Sequence, residues 1–115
     1  MNGAILGGLV EQWVWRCQKL ATQYQLRQPI DFLAEIEKLV GQAEAQARAL
    51  EADGPVLLGR IETRLAKSAH ITALPDPLVP DKLTDPVVNA RGRAEALHAL
   101  ANAFALAVER LRSAA

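Results

Sequence analysis

The sequence predicts an all-α fold, a small bundle of four helices with mostly antiparallel neighbours. Three observations predict it. Apolar residues recur at spacings of three and four along most of the 115-residue chain, which is the period of a helix with one buried side. No run shows the strict two-residue alternation of a half-buried strand. Helix stop and start signals also divide the chain at a few definite places.

The first helix spans about residues 2–26. Leu6, Val10, Trp13, Cys17, Leu20 and Tyr24 make its stripe, and Asn2 caps it. Arg27-Gln28-Pro29 ends it, because the residue before proline is pushed out of the helical region. The second spans about 29–52, with Pro29 in its first turn and Asp31 and Glu35 near its positive end. Its stripe is Leu33, Ile36, Val40, Ala43, Ala47 and Leu50, and Glu44 and Arg48 are spaced for a surface ion pair. In the stretch Ala52-Asp53-Gly54-Pro55, Gly54 ends the second helix and Pro55 opens the third.

The third helix covers about 55–69, with Leu57 or Leu58, Ile61, Leu65 and Ala69 facing inward. The fourth covers about 86–113, capped by Thr84 or Asp85 with Pro86 in its first turn. Ala90, Ala94, Leu97, Ala101, Phe104, Val108 and Leu111 form its stripe. Short turns between the first three helices make successive helices antiparallel.

Between the third and fourth helices lies a proline-rich segment, residues 71–85. It contains no glycine, unlike a flexible tether. Ile71, Leu74, Leu78, Val79 and Leu83 punctuate its prolines. Such residues have no place in a solvated linker, so the segment is expected to be an ordered strap, its order assisted by proline stiffening. Pro77-Leu78-Val79-Pro80 also has the spacing of a polyproline-recognition ligand.

Composition narrows the functions. Thirteen basic residues balance thirteen acidic ones, so no global field attracts nucleic acid or an anionic membrane. Cys17 is the only cysteine, which rules out an intrachain disulfide or a cysteine-rich zinc site. The apolar stretch near the start is too short to span a bilayer, and no basic n-region of a signal peptide precedes it. A cytoplasmic location without membrane contact is expected. Half of the chain is apolar, but aromatics are few and alanine is abundant. Such a core buries little area per residue, a first hint of self-association.

The strongest surface signal is Trp15. Trp13 belongs to the buried stripe, and Trp15 lies about 200° further round the helix, so one face does not bury both. Tryptophan is enriched at the centre of interfaces. Leu26 lies on the same side as Trp15, and Val14 widens the apolar arc. Trp15, Leu26 and Val14 are therefore the expected protein interface, and cover of Trp15 by the strap is the alternative.

Arg60, Arg64 and Lys67 form a basic stripe on the third helix, and Arg91 and Arg93 open the fourth. They are candidate phosphate contacts, without interleaved aromatics to stack on bases. Glu95 and His98 have the Glu-x-x-His spacing that places a carboxylate and an imidazole on one helix face as metal ligands. One such pair is half of what a di-iron bundle uses, and a symmetric dimer would supply the second, with Glu35, Glu37 or Glu62 completing the set. Cys17 within an apolar stripe reads as a small hydrophobe, and His70 reads as a favourable charge at a helix end. Ser68 and Ser113 lack the partners of a catalytic nucleophile. Gly3, Gly7 and Gly8 lack the strand and lysine of a phosphate loop. The chain is expected to be a non-enzymatic interaction subunit without a cofactor, either a homodimer or part of a larger protein assembly.

Overall fold

A computed structural model describes residues 3–25, 30–72 and 86–114, and the side chains of 5–25, 30–71 and 92–114. Four helices account for nearly all of them: α1 (Gly3–Gln25), α2 (Phe32–Ala49), α3 (Gly54–Thr72) and α4 (Pro86–Ala114). The chain is a compact four-helix, all-α protein. Helix number and order agree with the sequence pattern, and the differences lie at the ends.

α2 begins at Phe32, three residues later than the proline signal implies. Asp31 is its N-cap: its carboxylate accepts from the Ala34 N–H at 3.2 Å. The Asp31 carbonyl accepts from the Glu35 N–H at 3.0 Å. A side chain that satisfies an orphan donor fixes the start more firmly than proline's restricted φ does.

The turn after α2 also differs from expectation. Glu51, not Gly54, takes the left-handed conformation, with φ 52°. The Ala52 N–H donates to the Ala47 carbonyl at 2.8 Å, and the Glu51 N–H donates to the Arg48 carbonyl at 3.1 Å. These two bonds make a Schellman motif, which closes the helix by satisfying its last carbonyls. Gly54 instead starts α3, where the Asp53 carboxylate accepts from the Val56 N–H at 3.2 Å. At its other end α3 runs on to Thr72. Ile71 and Thr72, expected to open the strap, are therefore helical. Residues 73–85, the rest of that segment, lie outside the described residues.

The core follows the three–four spacing. α3 and α4 make the most extensive contact, α1 packs on both, and α2 touches each of the others least. Trp13, Phe104, Ile61, Leu65, Leu97 and Leu100 are among its largest fully buried side chains. Leu57 and Leu58 are both buried, although a single stripe accommodates only one of them. The reason is that α3 is packed by all three other helices. No polar or charged residue is buried among the described residues. Two members of the expected α2 stripe, Leu33 and Leu50, are exposed. α2 packs only along Ile36, Val40, Ala43 and Ala47, and its end residues overhang that contact.

Candidate functional site

α2 is the least embedded helix, and apolar surface is exposed along both of its flanks. On the α1 side, Trp15 is 62% exposed. It borders a small cleft of about 260 Å³ with Leu20 of α1 and Glu35 and Leu39 of α2. The Lys19 ammonium lies 5.4 Å from its ring centroid, within range of a cation–π attraction. Trp13, two residues earlier and about 200° round the helix, is buried under the Arg16 guanidinium, 4.6 Å from its ring centroid.

The two tryptophans thus divide as their helical phase requires. Val14 does not join Trp15. It is only 3% exposed, and it belongs to the chain's own core. The buried arc of α1 is broader than one stripe because that helix packs against both α3 and α4. Leu26, the third residue of the expected surface, lies outside the described residues.

On the α4 side, α2 and α4 enclose an open groove of about 780 Å³. Its walls include Val40, Gly41, Ala99 and Ala103. Leu33 and Leu106 stand at its edge, 70% and 66% exposed. The Arg110 guanidinium donates to the Glu44 carboxylate and closes one end. Reading the stripes alone misses this groove. Leu33 falls on the inward stripe of α2 by spacing, and Leu106 sits midway between the core positions Phe104 and Val108, where a helix points outward.

The basic stripe is placed in mixed company. Arg60, Arg64 and Lys67 are all exposed on α3. Arg64 donates to both oxygens of Glu11 on α1, the longer bond measuring 3.4 Å. That hydrogen bond, then the Glu11 charge, raises the guanidinium's pKa. Arg60 shares an open groove of about 760 Å³ with Glu11, Glu62, Glu109 and Arg112, so no uniform positive surface forms there. Arg93 is half-buried, and its Nε has no hydrogen-bond partner among the described residues. The side chain of Arg91 lies outside the described residues.

Glu95 and His98 are both exposed on α4. Among the described residues, no group of three or more histidines, cysteines or carboxylates stands close enough together to hold a metal ion. Cys17 is buried, and desolvation pushes its thiol pKa up to about 12. It therefore carries no thiolate at neutral pH and packs as a hydrophobe. His70 is exposed in the last turn of α3.

Among the described residues, no helix is long and apolar enough to cross a membrane. No model of a known protein family matches the chain, and neither the curated proteins nor the solved structures hold a match.

Proposed function

We propose that the chain is a non-enzymatic helical interaction or assembly subunit that associates with copies of itself in the cytoplasm. The observation that carries this reading is the apolar surface on both flanks of α2, with Leu33 and Leu106 at 70% and 66% exposure and Trp15 at 62%. Isolated exposed leucines are ordinary, whereas a groove edged by two of them is the kind of feature that marks interaction sites. Sedimentation velocity over a wide range of protein concentration tests the reading. A mass that rises with concentration supports it, and a monomer throughout sinks it.

The reading includes a bundle in which successive helices alternate in direction. Trp13 meets Gln46, whereas Leu20 shares a cleft with Leu39, so one helix number rises as the other falls. α2 and α4 then run the same way, in keeping with the Arg110–Glu44 pair and a groove lined by residues 33–44 and 99–110. In this reading residues 73–85 form an ordered strap, supported by the apolar residues Leu74, Leu78, Val79 and Leu83 between their prolines. Limited trypsin digestion tests this at Lys82, and rapid cutting there with the helices left intact rules the strap out.

Nucleic-acid contact through Arg60, Arg64 and Lys67 has weaker support, because Glu11, Glu62 and Glu109 adjoin the first two. Absence of binding to a DNA or RNA oligonucleotide at low salt removes it. A metal site at Glu95 and His98 needs ligands from a second copy, and metal analysis of the purified protein tests it.

A further inference from the structure

The α2–α4 groove has the features of a surface built to receive itself. We infer that a second copy of this chain docks there across a two-fold axis running along the groove, setting α2 of each copy against α4 of the other. The inference rests on the self-association reading above and on the shared direction of α2 and α4.

Arg110 and Glu44 are 66 residues apart in sequence and paired in space. Helices running the same way keep that offset, which sets Leu33 level with Ala99 and Val40 level with Leu106. Each helix therefore offers one protruding leucine and one recess. On α2 the protrusion is Leu33 and the recess is Gly41, where an added Cβ meets nothing within 4 Å among the described residues. On α4 the protrusion is Leu106 and the recess is the small pair Ala99 and Ala103.

A two-fold axis parallel to the helices keeps levels and exchanges helices. Leu33 then seats on the partner's Ala99, and Leu106 seats on the partner's Gly41. This is packing of side chains into the gaps left by small residues, and it is isologous, the commonest symmetry of soluble oligomers. The charges at the Glu44 end of the groove agree with it, whereas Glu37, a further charged residue of the lining, comes level with the partner's Ala103. Glu44 comes to face the partner's Arg110, and Arg110 the partner's Glu44, so the two ion pairs join into one ring of alternating sign. Opposed like charges, which suppress wrong partners, are absent from that ring.

The test uses two single-cysteine additions to the full chain, Gly41→Cys and Leu106→Cys, each carrying a different tag. Native Cys17 is buried and stays out of the exchange. Mild oxidation of the mixture is expected to give a disulfide-linked dimer containing both tags, with far less product from either variant alone. Cross-linking of Leu106→Cys with itself overturns the register, because the inferred axis holds those two positions on opposite sides of the groove. The equilibrium arm measures dimer dissociation by sedimentation. Leu106→Glu and Leu33→Glu are each expected to weaken the dimer by at least about tenfold. Gly41→Leu, which fills the recess in open space, is expected to do the same. Folding of each variant is checked by its helical circular dichroism. A wild-type monomer at all concentrations overturns both this inference and the self-association reading. A wild-type dimer that the three variants leave intact overturns the docking geometry alone.

Discussion

The indole N–H of Trp13 donates to the side-chain oxygen of Gln46 across 2.7 Å, joining α1 to α2. Trp13 is fully buried, so its N–H has no access to bulk water. α2 has the sparsest packing of the four helices, which makes a directional tie to the core matter more there than elsewhere. Gln46→Ala is expected to destabilise the fold by roughly 1–3 kcal/mol, the cost of leaving a buried donor unmet. Trp13→Ala is expected to cost more, about 3–5 kcal/mol, because it also opens a cavity. Urea unfolding of the two variants checks the order. Trp13→Phe combined with Gln46→Leu should cost less than the sum of the single changes, since neither polar group is then stranded.

Cys17 gives the fold a dependence on alkaline pH. Its thiol has a pKa of about 12 in the folded chain, against an ordinary value of 9.0, because burial disfavours the thiolate. Between those values the unfolded chain binds fewer protons than the folded one. Stability therefore falls as pH rises from about 9 toward 12, by at most about 1.4 kcal/mol per pH unit from this group. Below pH 9 the contribution is fully present. Cys17→Ala is expected to flatten the slope in that window relative to wild type. Native protein at pH 8 should also react slowly with a thiol reagent and rapidly once unfolded, and equal rates in the two states contradict the burial.

Much of this architecture is legible in the residue pattern. Trp13, Ile61, Leu97 and Phe104 fall on three–four stripes, and each is buried as its phase requires. What the stripes do not reveal is how many partners a helix has. Val14 and Leu58 are buried because α1 and α3 are each packed from more than one side, a property of the assembled bundle. Leu33 and Leu106 show the converse. Their spacing and apolarity are those of core residues or of ordinary surface ones, and only the position of α2 beside α4 sets them on one groove. The basic stripe was legible as charge, but its pairing with Glu11 crosses 53 residues of sequence.

Glu51 marks a place where the fold tolerates an unfavourable residue. It occupies the position after the C-cap of α2 with φ 52°, in the Schellman arrangement that favours glycine. A left-handed backbone costs a residue with a Cβ roughly 1–2 kcal/mol. Glycine relieves that cost, and its greater freedom in the unfolded chain takes back about 0.5–1 kcal/mol. Glu51→Gly is therefore expected to stabilise the protein by roughly 0.5–1 kcal/mol, seen as a higher urea midpoint. Glu51→Ala keeps the Cβ and should give none of the gain. If alanine and glycine stabilise equally, the backbone explanation fails and the Glu51 carboxylate itself is the destabilising group.

Trp15 tests the second exposed flank of α2. Trp15 is 62% exposed, and the Lys19 ammonium lies 5.4 Å from its ring centroid. An exposed cation–π pair is worth about 0.5–1 kcal/mol, so Trp15→Glu should cost the monomer little and leave its helices intact. Its effect belongs to association: the variant should form fewer large species in sedimentation. The two tryptophans also make the contact visible by fluorescence. Acrylamide should quench Trp15 readily and the buried Trp13 hardly at all, and Trp15→Phe should remove the quenchable emission. If copies meet through this flank, quenching of the wild type must weaken as concentration drives association. Quenching that stays constant while the mass doubles puts Trp15 outside the contact between copies, and leaves the α2–α4 groove to carry it.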